Sequence, residues 1–293
     1  MLLDPSVIYA IIGFTLASYA VMGNDAVQTL GTFMASNLRA FKWYWLWLAA
    51  SAVLCVTLFY GWSVHGDIAY GRLDKIPYQQ IQWYHAAAPL VLVILTRIGI
   101  PVSTTFLVLS VFASTFVMEK MLLKSALGYG VAAITAYILW MIIARIINEK
   151  YDKVQKEHRA MWRTLQWIST GFLWVTWLQH DMANIAVFLP REMPFGMLIG
   201  VIVILCASLA LIFKQHGGKI NHIVLEKSGA RFMRSATFID LAFAMLLIVF
   251  KEMNNIPMST TWVFVGLLAG RELAIATTYR ADYEFKKVYP LVK

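Results

Sequence analysis

The chain has 293 residues, of which 60% are hydrophobic and 14% are charged, and its formal net charge is +9 at pH 7. This composition is far more apolar than that of an ordinary soluble domain, so it predicts an integral membrane protein. It gives no support to nucleic-acid binding, because the basic residues concentrate between apolar segments, where membrane topology explains them. Cys55 and Cys206 lie inside apolar runs, which argues against a disulfide or a metal cluster.

Stretches without Asp, Glu, Lys or Arg follow one another along the chain, and several approach the roughly 20 residues that cross a bilayer as a helix. They cover residues 5–24, 26–38, 43–66, 76–96, 98–118, 125–144, 164–180, 193–213 and 253–270. The pattern predicts an all-α, polytopic membrane protein. No cleavable signal pattern opens the chain, so the first stretch is expected to remain as a membrane segment.

The first apolar region contains Asp25 within the word GNDAVQTLGT at residues 23–32. An ionised aspartate at the centre of a membrane helix costs about 2.5–3.5 kcal/mol, so it normally faces a cavity or a partner. The glycines and amides around it predict an unwound turn with backbone groups free to coordinate an ion. The alternative is that Asp25 only caps a helix end or pairs with a basic side chain such as Arg97.

Further along, the chain reads Ile-Pro-Val-Ser-Thr-Thr at residues 100–105. Proline interrupts helical hydrogen bonding, and the sequence after it predicts a new helix with Ser103, Thr104 and Thr105 at its N-terminus. Free N–H groups, hydroxyls and the positive end of the helix dipole together favour a bound anion. The alternative is that each hydroxyl bonds back to a carbonyl of its own helix.

The second half of the chain repeats both words at an offset of 156 residues. Ile-Pro-Met-Ser-Thr-Thr occupies residues 256–261, and the offset places Asp181 over Asp25 and Asn184 over Gln28. Two acids with two hydroxyl clusters, at equal spacing in a hydrophobic chain, predict two repeats with a binding site between them. The duplication favours a functional role over the structural alternatives, because intramembrane charge is rare.

The charged stretch at residues 145–163 marks the boundary between the halves. We predict a first transmembrane repeat at residues 1–147, a basic linker at 148–163 and a second transmembrane repeat with its tail at 164–293. By the positive-inside rule the linker, the basic loop at 214–234 and the C-terminus are expected in the cytoplasm, and the N-terminus outside.

These locations constrain how each Ile-Pro-x-Ser-Thr-Thr region threads the membrane. A broken helix that crosses the bilayer over residues 83–97 and 105–118 would place the linker outside. A re-entrant hairpin places the linker inside, so we favour hairpins meeting at the midplane and an inverted relation between the repeats. The helix expected at residues 125–146 has no counterpart in the second half, because the offset leads into the polar tail.

The word GNDAVQTLGT resembles the GANDVANAFGT-type signature of the inorganic phosphate transporter (PiT) family. The two Ser-Thr-Thr words are similar to the Pro-Val-Ser-Thr-Thr hairpin turns of that family, and the order of the motifs agrees over most of the chain. The resemblance implies an inverted-repeat symporter in the cell membrane that takes up phosphate, or in some members sulfate, with sodium or protons. It implies no enzymatic activity, and it leaves a homodimer open.

Two groups of site residues follow from the motifs and the resemblance. The substrate-binding residues are Asp25, Gln28, Ser103, Thr104, Thr105, Asp181, Asn184, Ser259, Thr260 and Thr261. The residues that couple to sodium, or to protons, are Asn24, Asp25, His180 and Asp181.

The second motif departs from the family pattern at His180, where an asparagine is usual. An imidazole titrates near neutral pH, so proton binding there could replace a sodium ion. The alternative is a neutral histidine that donates one hydrogen bond in place of the amide.

Three other classes of function compete with phosphate uptake. A permease for sulfate or another small anion would use the same half-sites. Two aspartates could also form the dyad of an intramembrane protease, although the chain has no Gly-x-Gly-Asp motif. An anion channel could use the same oxygen ligands to line a pore.

Overall fold

The computed structural model describes residues 4–100, 102–146, 159–221 and 233–278, and it contains no β-strand in these ranges. The described chain is a bundle of α-helices, as the composition predicts. The helices are α1 (Pro5–Asn37), α2 (Trp43–His65), α3 (Trp83–Ile98), α4 (Thr104–Leu109), α5 (Thr115–Ile146), α6 (Arg159–Asp181), α7 (Ala183–Ala186), α8 (Phe195–Lys214), α9 (Met233–Met253) and α10 (Thr260–Thr278).

Four of the described helices are long and apolar enough to cross a membrane. They are α1, α2, α5 over residues Thr115–Ile142, and α8. Helices α6, α9 and α10 have comparable lengths of 23, 21 and 19 residues. The prediction of a polytopic all-α membrane protein is confirmed.

Helix α1 passes through the word at residues 23–32 without a break, so the predicted unwound turn is wrong there. Asp4 caps its start by accepting a hydrogen bond from the Ser6 amide at 3.0 Å. The break occurs instead in the second copy, where α6 ends at Asp181 and a short helix follows. Pro190 and Pro194 follow that short helix and prevent its continuation, whereas no proline stands at the equivalent place in α1.

Both Ser-Thr-Thr words lie at the start of a helix, as predicted. Ser103 accepts a hydrogen bond from the Phe106 amide at 3.3 Å and caps α4. Ser259 accepts one from the Trp262 amide, also at 3.3 Å, and caps α10. Before the first word, α3 ends at Ile98, and Gly99 caps it with a φ of 94°, the left-handed conformation that glycine adopts without strain.

The two halves differ after these helix starts. Helix α4 has only six residues and is followed by a break at 110–114, whereas α10 continues to Thr278. The expected single arm at 105–118 and separate helix at 125–146 are therefore wrong, because α5 begins at Thr115. Ser114 accepts a hydrogen bond from the Val117 amide at 3.4 Å, so it caps α5.

Helices related by the repeat offset have corresponding packing partners, one in their own half and one in the other half. Helix α1 packs on α3 of its own half and on α8 of the other, while α6 packs on α9 and on α2. Counterparts α1 and α6 run antiparallel, because Asn37 at the end of α1 bonds to Gln166 near the start of α6. An antiparallel relation between counterpart helices supports an inverted arrangement of the repeats.

Several topology predictions fall on residues outside the described ranges. These are residues 147–158 of the linker, 222–232 of the second basic loop and 279–293 of the tail. Helix α6 begins at Arg159, within the stretch expected to be linker.

Helices α5 and α10 form the most extensive helix pair, and glycines permit their close approach. A Cβ atom added to Gly266 would lie 2.4 Å from the carbonyl oxygen of Tyr129, and one added to Gly270 would lie 2.0 Å from that of Ala133. Real Cβ atoms do not approach backbone this closely, so the two helices touch through their backbones. Small residues four positions apart permit such close packing of two helices.

Gly270→Ala should destabilise this helix pair by about 1–3 kcal/mol, because the added methyl group must push the backbone of α5 away. The measurement is the apparent melting temperature of the purified protein in detergent. Gly130→Ala is the matched control, since a Cβ there meets no atom within 4 Å. Equal melting temperatures for the two variants would contradict backbone contact between α5 and α10.

Candidate functional site

The centre of the bundle contains two buried carboxylates, each held by a threonine hydroxyl from a helix start of its own half. Asp25 on α1 is 1% exposed, and Asp181 at the end of α6 is fully buried. Thr104 Oγ1 donates to Asp25 Oδ2, and Thr260 Oγ1 donates to Asp181 Oδ2 at 2.6 Å. The repeat offset of 156 residues relates the two acids to each other and the two threonines to each other, while each acid lies 79 residues from its own threonine. The half-sites therefore use the same bond at equivalent positions.

Two amide side chains link the half-sites to each other. Each amide donates to the acid of its own half and to the second threonine of the other half. Gln28 Nε2 lies 3.4 Å from Asp25 Oδ1 and 3.3 Å from Thr261 Oγ1, and Asn184 Nδ2 lies 3.0 Å from Asp181 Oδ1 and 3.4 Å from Thr105 Oγ1. The structure thus brings together eight of the ten predicted substrate-binding residues in one network.

The remaining two predicted residues, Ser103 and Ser259, lie at its edge as helix caps. Their hydroxyl oxygens accept from backbone amides, so these oxygens have a structural function. The backbone N–H of Ser259 is also engaged, because it donates to Ser125 Oγ at 2.9 Å. Thr105 Oγ1 in turn donates to the Met258 carbonyl at 3.2 Å.

Asn24 and His180 occupy equivalent positions, and each contacts a backbone carbonyl, although the two carbonyls are not related by the offset. Asn24 Nδ2 donates to the Val102 carbonyl at 2.6 Å and to Asp25 Oδ1 at 2.7 Å. His180 Nε2 lies 2.7 Å from the Leu247 carbonyl, which as an acceptor requires the proton on this nitrogen. With its proton directed at Leu247, Nε2 cannot also accept from Arg72, whose NH2 group lies 3.2 Å away, and in the described part of the chain no hydrogen bond joins His180 to Asp181.

The site offers oxygen ligands for a cation. Asn24 Oδ1 and Asn184 Oδ1 are buried and have no hydrogen-bond partner in the described structure. Carboxylate and amide oxygens are ligands that hard cations prefer. Among the described residues, no group of three or more His, Cys, Asp or Glu side chains could hold a metal ion. A cation at the centre would therefore be bound by the acids together with neutral oxygens.

Two buried basic side chains near the site were not predicted from the sequence. Arg72, only 1% exposed, donates through Nε to the Gln179 carbonyl at 2.9 Å, and its NH2 group lies 3.2 Å from His180 Nε2. Lys124 Nζ donates to the Ile256 carbonyl at 3.0 Å, just before the second Ser-Thr-Thr word. These residues anchor the backbone that presents the second half-site.

No repeat signal marks these two basic residues. The offset leads from Arg72 to residue 228, a serine, and Lys124 merely separates two apolar stretches. Arg97, the expected alternative partner of an acid, is exposed and lies over the Tyr19 ring at 5.3 Å. It does not neutralise the site.

The helical bundle that holds these half-sites is similar in fold to a known phosphate transporter. No family model matches the chain. A solved structure described as "The sodium-dependent phosphate transporter" superposes with a TM-score of 0.60 at 15% identity, covering 99% of this chain and 94% of the other. At this identity the likeness shows the fold.

A curated relative from Pyrococcus furiosus, named "Putative phosphate permease PF1020", is 26% identical over 225 residues. The match covers 69% of this chain and 54% of the relative, so the chain spans about half the length of the curated protein it matches. Both compared proteins are transporters and not enzymes. The resemblance to the inorganic phosphate transporter (PiT) family is confirmed.

Arg72→Met should destabilise the protein by about 1–3 kcal/mol, because the substitution leaves buried carbonyl groups without their donor. Methionine retains a long apolar side chain, so the lost hydrogen bonds dominate the effect. Thermal unfolding in detergent measures the change, and Arg39→Met, at an exposed position, is the control. If both variants unfold at the parent's temperature, Arg72 does not anchor the second half-site.

Proposed function

We propose that the protein is a secondary active symporter that takes up inorganic phosphate together with sodium. The observation that carries this proposal is the pair of equivalent half-sites, each with a buried aspartate, joined by Gln28 and Asn184. The hydroxyls and amides are donors that could turn from the carboxylates to a bound oxyanion. The names of the similar proteins support phosphate as the substrate and sodium as the coupling ion.

Coupling follows from electrostatics at such a site. An anion beside Asp25 and Asp181 would be repelled strongly in a buried environment. Cations bound by the two acids and the Asn24 oxygen would remove this repulsion, so each ion would raise the affinity for the other. We assign the anion to Gln28, Asn184 and the two Ser-Thr-Thr words, with the acids contacting both ions.

The acids also favour phosphate over sulfate. Phosphate retains a proton near neutral pH, and this P–OH group can donate a hydrogen bond to a carboxylate. Sulfate has no such proton, and a carboxylate would only repel it. We therefore place phosphate first and keep sulfate, or another small oxyanion, as the alternative substrate.

We further propose the membrane arrangement expected from the charge distribution. Repeat 1 covers residues 1–147, the cytoplasmic linker 148–163 and repeat 2 residues 164–293, in the cell membrane with the N-terminus outside. Re-entrant hairpins at the two Ser-Thr-Thr regions keep the basic segments in the cytoplasm. A homodimer is compatible with this arrangement.

Asp25→Asn and Asp181→Asn should each reduce phosphate uptake into proteoliposomes at least tenfold, because each removes a charge that binds the coupling cation. Labelled phosphate and labelled sulfate are compared with and without an inward sodium gradient. Glu192→Gln, which alters an exposed carboxyl group, is the matched control and should transport normally.

Counterflow of labelled substrate separates a carrier from a channel, because only a carrier exchanges substrate against its gradient. Parent-like uptake by both aspartate variants, in protein that elutes as a folded species, would refute the assignment of the half-sites.

His180→Asn should leave the dependence of uptake on pH and sodium unchanged, within about twofold, between about pH 6 and pH 8. The reason is that asparagine can donate a hydrogen bond to the Leu247 carbonyl, as Asn24 does to Val102. A flatter pH profile with a stronger response to sodium would instead assign proton coupling to His180.

A further inference from the structure

An apolar groove of about 510 Å³ opens on the outside of the bundle, between the start of α2 and the first half of α6. It is lined by Phe41, Trp45, Leu48, Ala49 and Trp167. Trp45 and Leu48 are 57% and 44% exposed, so the groove faces away from the central site. Its volume lies within the range of sites that bind small organic molecules.

The groove lies at the end of the bundle that adjoins the linker. Helix α2 begins at Trp43 and α6 at Arg159, and the groove lies within about two turns of both starts. Trp45 and Trp47 stand with Trp43 in the first turns of α2. Tryptophan is enriched where the hydrocarbon core of a membrane meets the headgroups. The groove therefore lies at the depth where the acyl chains of a phospholipid join its headgroup.

A positive charge is held at the rim of this groove. Arg163 is one helical turn before Trp167 on α6, and its guanidinium carbon lies 5.4 Å from the centre of the Phe41 ring. The Nε atom of Arg163 is buried and has no hydrogen-bond partner in the described structure. A buried donor without an acceptor is costly, so this nitrogen indicates a place for a bound acceptor.

Two further basic residues stand beside the groove without acidic neighbours in sequence. Arg39 and Lys42 are exposed in the turn that precedes α2. The segments that form the groove, residues 33–54 and 159–180, contain no Asp or Glu. The positive-inside rule accounts for exposed basic residues at this end of the bundle. It does not account for an unpaired nitrogen of Arg163 held against the lining of the groove.

The apolar lining and the basic rim together select an amphipathic anion. A free inorganic anion would pair with the basic residues but would leave the apolar lining uncovered. A zwitterionic lipid would cover the lining but would bring a positive charge of its own towards the rim. An anionic phospholipid satisfies both parts, because its phosphate accepts charge-assisted hydrogen bonds from arginine and its acyl chain is apolar.

The floor of the groove belongs to a contact between the two halves of the chain. Trp167 Nε1 donates to Asn37 Oδ1 at 3.1 Å, and Asn37 Nδ2 donates to Gln166 Oε1 at 3.0 Å. These bonds join the end of α1 to the start of α6, the two helices that carry Asp25 and Asp181. A molecule in the groove therefore packs directly against the place where the two halves meet.

We propose that this groove binds one anionic phospholipid, with an acyl chain between α2 and α6 and the phosphate at Arg163 and Lys42. The lipid covers the exposed aromatic lining and supplies the acceptor that Arg163 Nε lacks. This binding does not rest on the proposed symport function, and it is measured without transport.

The test is a titration of the purified protein, in a neutral detergent, with dioleoyl phosphatidylglycerol or with dioleoyl phosphatidylcholine. Native mass spectrometry counts the bound lipids and gives the Kd of the first one. The parent should bind its first phosphatidylglycerol at least about fivefold more tightly than its first phosphatidylcholine. Arg163→Gln and Lys42→Gln should each weaken phosphatidylglycerol binding about fivefold and leave phosphatidylcholine binding unchanged. Ala49→Phe, which fills the groove, should abolish the tight first site.

The chain offers a matched control for each kind of variant. Arg97→Gln removes an exposed arginine that also lies over an aromatic ring, that of Tyr19 at 5.3 Å, but outside the groove. Ala126→Phe adds the same ring at an exposed position of α5. Both controls should bind phosphatidylglycerol with the affinity of the parent.

Equal affinities of the parent for the two lipids would overturn the proposal, as would parent-like phosphatidylglycerol binding by both Arg163→Gln and Ala49→Phe. If Arg163→Gln does not fold, the exposed Lys42→Gln decides the effect of charge, and an unchanged affinity there overturns the site. Inorganic phosphate in large excess should not displace the lipid, because it has no acyl chain. Complete displacement would assign the basic rim to free phosphate, and a dimer that binds no lipid would assign the groove to a second copy of the chain; either result overturns the proposal.

Discussion

The structure depends on the need to bury two negative charges near each other inside a membrane bundle. Asp25 and Asp181 are both inaccessible and close enough for their charges to repel. Water cannot stabilise them there, so the protein supplies hydroxyl and amide donors instead. This requirement explains why two helices begin at Ser-Thr-Thr words, because a helix start can direct a threonine side chain at a carboxylate while a serine caps the exposed amides.

The same requirement makes the two halves equivalent at the centre and free to differ elsewhere. Around the carboxylates, the bonds from Thr104 to Asp25 and from Gln28 to Asp25 and Thr261 each have a counterpart at the repeat offset. Away from the carboxylates, α4 ends after six residues, whereas α10 continues to Thr278. The basic side chains of Arg72 and Lys124 bind backbone carbonyls of the second half. Helix α10 can remain whole because glycines allow it to lie directly on α5.

Sequence reasoning found the central site because duplication amplified a weak signal. One aspartate in an apolar stretch has several explanations, but the same acid, amide and hydroxyls at a constant offset have few. Arg72 and Lys124 lack basic equivalents in the other half, so the same method could not find them. The break predicted within the first membrane helix was wrong for a different reason. The glycines of residues 23–32 suggested an unwound turn, whereas tertiary packing of α1 against α3 and α8 keeps it helical.

Bond lengths at the site indicate how the halves could separate. The bonds from Thr260 to Asp181 and from Asn24 to Val102, both 2.6 Å long, lie within one half. Bonds between the halves measure 3.3 Å from Gln28 to Thr261 and 3.4 Å from Asn184 to Thr105, as long as the weakest bond within a half-site, which joins Gln28 to Asp25 at 3.4 Å. Each of these bonds between the halves contributes about 0.5–1.5 kcal/mol. A bound phosphate and its coupling cation, by replacing a few of these bonds, can therefore shift the relative position of the halves. The carboxylates and their own threonines would then move together, which would keep each half-site intact while access changes.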